Sequence, residues 1–242
     1  MKLYYDFHIH TALSPCGDGD MTPNNIVNMS MLKELDAIAI TDHNTCGNAE
    51  AVMKVAEEAG GGLIVIPGME CETSEEIHVI CLFPGLKAAK SFEALVHKHL
   101  PPLKNRKDIF GAQILYDAKD EAVGEEERML LTATSLDLYR VIEEAKKLGG
   151  IAYPAHIDRN SYSIISSLGF IPEDLDINLI EISRNSDPGD YLEASRKVIP
   201  KPYYVMRSSD AHYLEDISER INFITMPEHP TAQSVIKMLK KL

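Results

Sequence analysis

The sequence has no long apolar run, no closely spaced cysteine pair and no excess of basic residues, and each absence excludes a class of protein. No stretch approaches the roughly 18 apolar residues of a membrane-spanning helix. Four cysteines, Cys16, Cys46, Cys71 and Cys81, form no Cys-x-x-Cys motif, so free thiols in a reducing compartment are expected. Met1–Leu3 leads directly into a predicted strand, which argues against a signal peptide and favours a cytoplasmic protein.

Basic residues are fewer than acidic ones, 24 against 37, and the formal net charge is −13. Such a balance disfavours non-specific binding to nucleic-acid backbones and to anionic membranes. Long nucleic acid is therefore expected to be an unlikely partner and a membrane is not expected to be one, whereas a short oligonucleotide stays open. A phosphorylated substrate would need local positive charge, from metal ions or a few arginines.

The order of predicted elements favours one domain over residues 1–242, since there is no internal repeat, low-complexity tract or linker. Short apolar strands, such as Asp36–Ile40, Leu63–Pro67 and Ile177–Ser183, alternate with amphipathic helical segments. This rhythm is typical of an α/β fold built on parallel strands. The charged stretch Pro101–Thr134 interrupts the rhythm and is interpreted as an insertion, either a lid over a site or a solvated excursion.

A pair of histidines lies at the end of the first predicted strand. His8 and His10 are two positions apart, so their side chains point to the same face and can chelate a divalent metal. One such pair is weak evidence in a chain with 9 histidines. A second pair, His97 and His99, falls on a helical pattern, where such positions diverge by roughly 200°, and it is not expected to chelate.

Further histidines and acids lie at a predicted strand end or in the loop after it. The candidate ligands are His8, His10, Asp18, His43, Glu70, His156, Asp210 and His212, with His78 inside a strand as a ninth. Strand ends of a β/α barrel converge on one mouth, so residues remote in sequence can meet there. For Asp18 or His78 alone a structural role is favoured, but the joint pattern favours a metal site. Mixed imidazole and carboxylate ligands suit Mn²⁺, Fe²⁺ or Zn²⁺.

These residues occur in six short motifs that follow one another from residue 6 to residue 212. The motifs are Asp6-Phe7-His8-Ile9-His10-Thr11, Asp18-Gly19-x-x-Thr22-Pro23, Ile40-Thr41-Asp42-His43, Pro67-Gly68-x-Glu70, Ala155-His156 and Ser209-Asp210-Ala211-His212. Together they resemble the motifs of the PHP (polymerase and histidinol phosphatase) family. The resemblance implies a distorted (β/α)₇ TIM-like barrel with up to three divalent metal ions.

The resemblance also implies a ligand set for each metal ion. It assigns the first metal to His8, His10, Glu70 and Asp210, the second to Glu70, His78 and His156, and the third to Asp18, His43 and His212. Glu70 would then bridge two metals. The stretch Pro101–Thr134 lies outside the shared motifs, so its role is not implied by the family.

Such a centre is suited to the hydrolysis of a phosphate ester, because paired cations activate a bridging water and bind phosphoryl oxygens. Glu70 and Asp210 would act at the metals. Arg159 is the first candidate for a phosphate fork, and Arg184 and Arg207 are the next; a surface charge is the alternative for each. The expected substrate is a small phosphorylated metabolite, a nucleotide or a short oligonucleotide, and histidinol phosphate is within the range that the resemblance implies.

Two rival functions are considered. Hydrolysis of a C–N or lactone bond uses similar ligands, but no lysine stands at a predicted strand end to become the carbamylated ligand of such enzymes. A non-catalytic metal-binding or proofreading-accessory module should have lost ligands, whereas all nine positions carry side chains that can coordinate a metal.

Three neighbours of the candidate ligands have less specific interpretations. Asp6 and Asp42 are candidates for orienting a neighbouring ligand histidine, with a simple strand end as the alternative for Asp6. Cys16 is interpreted as a small packed residue rather than as part of the pocket.

Overall fold

The computed structural model describes residues 1–242, and its ten strands and eight helices make a mixed α/β fold. In chain order the elements are β1 (Lys2–Ile9), α1 (Pro23–Leu32), β2 (Ala37–Ile40), α2 (Ala49–Glu58), β3 (Ile64–Glu72), β4 (His78–Leu82), α3 (Leu86–His99), α4 (Lys107–Phe110), β5 (Ile114–Tyr116), β6 (Ala122–Glu125), α5 (Leu138–Lys147), β7 (Ile151–Pro154), α6 (Ile164–Leu168), β8 (Leu179–Glu181), α7 (Pro188–Ala194), β9 (Tyr204–Met206), β10 (Phe223–Thr225) and α8 (Ala232–Leu239).

The main sheet has six strands in the order β10-β1-β2-β3-β4-β7, and it curls into half a barrel. Strands β1, β2 and β3 are parallel, whereas β4 is antiparallel to both β3 and β7, and β10 is antiparallel to β1. Strands β8 and β9 form a separate parallel pair. A curled mixed sheet is therefore the architecture, and closure into a complete (β/α)₇ barrel stays a prediction.

Strand β4 corrects the expectation of a sheet built on parallel strands. The connection Thr73–Ile77 between β3 and β4 is far shorter than the dozen or so residues that a parallel crossover needs. The chain therefore turns back as a hairpin, in which Glu72 pairs with His78. As a consequence, the first residue of β4 lies at the same sheet edge as the last residues of β1, β2 and β3.

The sheet is buried on both faces, as the alternation of side chains along β4 illustrates. Val79 and Cys81 belong to a cluster of 41 buried apolar residues, and Ile80 and Leu82 belong to a second cluster of 18. Helix α5 contributes an apolar stripe to the larger cluster, as its 3.6-residue periodicity indicates.

The helix starts follow the sequence signals. The hydroxyl of Thr22 caps α1 by accepting a hydrogen bond from the Asn25 N–H, and Pro23 occupies the first helical position. Thr231 caps α8 in the same manner, and the Thr231 N–H donates in return to the Ser234 hydroxyl. No helix in the structure combines the length and the apolar content needed to cross a bilayer.

The stretch Pro101–Thr134 contains α4 and the β5-β6 hairpin. Its backbone is tied to loops that follow β1 and β2. The Ile114 N–H donates to the carbonyl oxygen of Ala12 at 3.1 Å, and the Asn44 side-chain amide donates to the carbonyl oxygen of Leu130 at 2.8 Å. The stretch therefore lies against the two loops that begin at the His10 and His43 motifs.

Candidate metal centre

Eight of the nine candidate ligands come together at one edge of the curled sheet. Three groups have ligand atoms within 4.8 Å of one another: His8, His10, Glu70 and Asp210; His43, Glu70 and His78; and His10, His43 and His212. The eighth residue, His156, has its Nε2 atom 3.0 Å from Oε1 of Glu70. Neither His97 nor His99 joins a group, as expected for a pair on a helix.

The first group surrounds one point with nitrogen and oxygen atoms. Nε2 of His8 and Nε2 of His10 are 3.2 Å apart, and each lies 3.1 Å from Oδ1 of Asp210. Glu70 approaches both imidazoles at 3.4 Å. At most one proton can lie between two facing imidazole nitrogens, so this packing of lone pairs fits a divalent cation with mixed ligands.

Both oxygens of Glu70 also approach imidazoles outside the first group. Its Oε1 lies 2.9 Å from Nδ1 of His78 and 3.0 Å from Nε2 of His156, while its Oε2 lies 3.1 Å from Nδ1 of His43. Glu70 belongs to β3 itself and is buried. His78 reaches it because the β3-β4 hairpin returns the start of β4 to this edge. The arrangement fits a carboxylate that bridges two cations.

Attraction between the histidines and the carboxylates shifts the pKa values of both kinds of group in this cluster. Burial lowers the pKa of His8, but the carboxylates of Asp210, Glu181 and Glu70 outweigh it and hold that pKa well above its usual value. Burial raises the pKa of Glu70, but nearby histidines outweigh it and hold that pKa well below its usual value. Without a metal ion, protonated histidines supply the positive charge that stabilises these carboxylates. A bound divalent cation would supply that charge instead.

The third group differs from the set that the family resemblance implied. The carboxylate of Asp18 accepts a hydrogen bond from the Asp20 N–H at 2.9 Å and is not among the grouped ligand atoms. Sγ of Cys16 lies 3.1 Å from Nε2 of His212 instead, although the thiol is also not among the grouped ligand atoms. Burial raises the pKa of Cys16, but His212 and His43 outweigh it and lower the pKa to about 5. Cys16 therefore borders the cluster, contrary to its interpretation as a small packed residue.

Glu181 contacts two of the candidate ligands, His8 and His156, and was not found from the sequence. Its Oε1 lies 2.9 Å from Nδ1 of His8 and accepts a hydrogen bond from the backbone N–H of His156 at 3.1 Å. The side chain is buried, and its Oε2 has no hydrogen-bond partner. A carboxylate that follows Leu179 and Ile180 and precedes Ile182 in a predicted buried strand is the signal that could have identified it.

Asp42 acts on a different histidine from the one expected. It accepts hydrogen bonds from the Thr11 N–H at 2.7 Å and from the Ser14 hydroxyl at 2.6 Å. Oγ of Ser14 in turn lies 3.0 Å from Nδ1 of His10. Asp42 therefore orients His10 through Ser14 rather than its neighbour His43.

Asp6 also has a different role from the one considered. Its carboxylate accepts hydrogen bonds from the Ser209 N–H at 3.0 Å and the Ser218 N–H at 2.8 Å. These bonds fix the loop that carries Asp210 against β1. Asp6 therefore positions a candidate ligand through the backbone and not by contact with an imidazole.

The three candidate arginines have different partners. Nη2 of Arg159 lies 2.7 Å from Oδ2 of Asp210, and its side chain is 44 % exposed, so it is at the centre and can also reach a ligand. Arg184 pairs with Asp216, and Arg207 donates to the carbonyl oxygen of Arg184 at 2.9 Å. Only Arg159 of the three contacts a member of the cluster.

Two backbone positions and one aromatic ring mark the rim of the centre. His156 and Asp210 have positive φ angles of 28° and 53°, a strain that proteins tend to retain at functional sites. The ring of Tyr162 stacks on that of His78, with 4.8 Å between centroids and an interplanar angle of 20°. Tyr162 is 48 % exposed, so an aromatic ring next to the cluster faces solvent.

Comparison with known proteins yields a family and several similar structures. The family model described as the PHP domain matches residues 6–166. The 5'-3' exoribonuclease Rnm of Salmonella typhimurium is 36% identical over 81 residues, which are 32% of this chain and 27% of that protein. The chain thus spans about a quarter of this curated relative.

Two solved structures resemble the fold. The lesion-specific endonuclease PfuEndoQ from Pyrococcus furiosus superposes with a TM-score of 0.61 at 17% identity, over 100% of this chain and 56% of that one. Endonuclease Q in complex with a 27-mer duplex substrate gives a TM-score of 0.55 at 19% identity, over 88% of this chain and 49% of that one. At these identities the likeness shows the fold.

The expectation that long nucleic acid is an unlikely partner is wrong. It is contradicted by a similar protein named as an exoribonuclease and by a similar fold solved with a 27-mer duplex. The net charge failed as a guide because it counts every acid in the chain. Glu70 is buried and Asp210 is half-buried, both among histidines, so the negative charge of these two acids is compensated locally at the centre.

Three observations point to the same family. The six motifs follow one another along the chain, their histidines and acids converge at one centre, and the family model matches more than half of the chain. The chain belongs to the PHP family.

Proposed function

We propose that the protein is a metal-dependent phosphoesterase that hydrolyses phosphodiester bonds in a nucleotide or a nucleic-acid strand. The observation that carries the proposal is the position of Glu70, whose two oxygens lie within 3.4 Å of five imidazoles, Oε1 near those of His8, His78 and His156 and Oε2 near those of His10 and His43. A carboxylate in that position suits two cations held a few ångströms apart, the arrangement that in-line displacement at phosphorus uses.

Two metal sites account for most of the candidate ligands. His8, His10, Glu70 and Asp210 would hold one ion, and Glu70, His78 and His156 would hold the other. Divalent ions bound there would lower the pKa of water and offset charge on phosphoryl oxygens. The mixture of imidazole and carboxylate suits Mn²⁺, Fe²⁺ or Zn²⁺.

Arg159 is suited to bind a phosphoryl oxygen. Its guanidinium lies at the cluster through Asp210, and nearly half of the side chain is exposed. A charge-assisted hydrogen bond from arginine to phosphate is short and directional, so it would orient the scissile group.

The substrate class follows from the rim and from the similar proteins. The exposed ring of Tyr162 offers a flat face on which a nucleobase can stack. The matched relative is named an exoribonuclease and a similar fold is named an endonuclease, which favours a nucleic-acid phosphodiester over a small phosphorylated metabolite such as histidinol phosphate.

We also propose that residues 1–242 form a single PHP domain in which Pro101–Thr134 limits access to the centre. Support comes from the contacts of this stretch with the loop that carries Cys16. A Cβ atom on Gly111 would lie only 2.9 Å from the carbonyl oxygen of Pro15, so the two segments touch.

Closure into a (β/α)₇ barrel is part of the same proposal. The Ile157 N–H donates to the carbonyl oxygen of Glu181 at 2.8 Å, which joins the end of β7 to β8. Ile9 at the end of β1 forms a parallel bridge with Ala211, the residue after Asp210. The first link joins the β7 edge of the six-stranded sheet to the β8-β9 pair. The second link joins β1 to the segment that follows β9.

The test is hydrolysis by protein stripped with a chelator and reloaded with Mn²⁺, Fe²⁺ or Zn²⁺. Substrates are 5'-labelled RNA and DNA oligonucleotides, bis-p-nitrophenyl phosphate, p-nitrophenyl phosphate and histidinol phosphate. We expect metal-dependent cleavage of the diesters. His10→Ala and Asp210→Ala should abolish turnover while circular dichroism shows an intact fold, and His229→Ala, at an exposed histidine outside the cluster, is the control. Unchanged turnover in either variant would reject the site.

A further inference from the structure

The third group of imidazoles contains no carboxylate, and the thiol of Cys16 lies beside it. His10, His43 and His212 bring three ring nitrogens within 4.8 Å of one another. Sγ of Cys16 is 3.1 Å from Nε2 of His212, a member of this group. The Asp18 carboxylate is instead used in a local turn, where it accepts from the Asp20 N–H.

The backbone fixes Cys16 in this place. The Gly17 N–H donates to the carbonyl oxygen of Ser14 at 2.8 Å, and the Asp18 N–H donates to the carbonyl oxygen of His212 at 2.8 Å. A Cβ atom on Gly17 would meet the carbonyl oxygen of Thr11 at 2.5 Å, so the loop can close this tightly only with glycine. The thiol is therefore held against His212 by the fold of the loop.

The donor set differs in chemistry from that around Glu70. A thiolate with two or three imidazoles is a soft, nitrogen- and sulfur-rich set that suits tetrahedral Zn²⁺ and disfavours Mn²⁺ or Mg²⁺. The groups around Glu70 contain carboxylates and accept harder ions. One centre would thus hold two kinds of metal site.

We propose that Cys16, and not Asp18, completes the third metal site with His43 and His212, and that this site selects a thiophilic cation of the Zn²⁺ type. The inference rests on the metal centre of the proposed function. It adds a ligand that makes the site sensitive to thiol oxidation and alkylation, because Cys16 is exposed whereas Cys46, Cys71 and Cys81 are buried.

The direct test is optical titration of the metal-free full chain with Co²⁺, which gives an intense near-ultraviolet charge-transfer band only when a thiolate is bound. We expect the band in the wild type and in Asp18→Asn, and no band in Cys16→Ser. Zinc content after equilibrium dialysis should fall by one ion per chain in Cys16→Ser and stay unchanged in Asp18→Asn. A wild type without the band at saturating Co²⁺, or metal lost from Asp18→Asn but kept in Cys16→Ser, would overturn the proposal.

A second measurement needs no variant and so does not depend on whether one folds. Iodoacetamide should alkylate Cys16 in the metal-free wild type, and saturating Zn²⁺ should slow this reaction at least tenfold, as followed by peptide mass spectrometry. An equal rate with and without Zn²⁺ would refute ligation. Neither measurement depends on hydrolytic activity. A thiolate band without phosphodiesterase activity would therefore reject the proposed function alone, and activity without the band would reject this inference alone.

Discussion

Nδ1 of His8 lies 2.9 Å from Oε1 of the buried Glu181, on the side of the ring opposite to the nitrogen that faces Asp210. A carboxylate in this position favours the tautomer with the proton on Nδ1. The lone pair of Nε2 is then directed at the cluster, as a metal ligand requires. Glu181 thereby fixes both the tautomer and the rotation of a ring that the chain places at the end of β1.

Replacement of this carboxylate should weaken metal binding more than it affects the fold. We expect Glu181→Gln, which keeps the shape of the side chain, to lower the affinity for the first metal by about 10- to 100-fold. Competition with a chromophoric chelator measures the change. Glu193→Gln, at an exposed position on α7, is the control. Equal affinities in the two variants would show that Glu181 does not support the site.

Ser14 provides a corresponding test on His10. Its hydroxyl donates to Asp42, lies 3.0 Å from Nδ1 of His10 and accepts from the His43 N–H at 3.2 Å. Ser14→Ala leaves Nδ1 of His10 and the His43 N–H without a partner, which costs about 1–3 kcal/mol. Urea denaturation of the metal-free protein should show this loss. The control is Ser91→Ala on the exposed face of α3, whose free energy of unfolding should change by less than about 0.5 kcal/mol.

The sequence located those candidate ligands whose positions follow from strand periodicity. His8 and His10 lie two positions apart at the end of β1, and His43 and His156 lie three and two residues after the ends of β2 and β7. The caps of α1 and α8 also lie at local sequence signals. Those parts could be predicted because each depends on neighbouring residues only.

The remaining features depend on long-range geometry. Cys16 and Asp18 share an irregular loop, where spacing does not indicate which side chain points inward. Glu181 approaches His8 only after β8 has been placed beside the end of β7. The direction of β4 was an avoidable error, because the short connection Thr73–Ile77 already excludes a parallel crossover.

Arg159 should affect substrate binding more than metal binding. If its guanidinium binds a phosphoryl oxygen, Arg159→Gln removes a charge-assisted hydrogen bond worth about 1.5–3 kcal/mol. We expect kcat/KM for a phosphodiester to fall at least tenfold while metal content stays unchanged. Arg196→Gln, at an exposed ion pair on the surface, is the control. A variant that loses metal to the same degree as activity would show that Arg159 acts by fixing Asp210.

Tyr162 distinguishes a nucleic-acid substrate from a small phosphate ester. One face of its ring stacks on His78 and half of the side chain is exposed, so a nucleobase can reach it at the rim of the centre. Stacking of one base on an aromatic side chain contributes about 1–3 kcal/mol. Tyr162→Ala should therefore raise KM for an RNA or DNA oligonucleotide about tenfold and leave KM for glycerol phosphate, which has no ring, unchanged. Tyr162→Phe keeps the stacking surface and should restore the wild-type KM for the oligonucleotide. Equal losses for both substrates in Tyr162→Ala would mean that the ring only holds His78 in place.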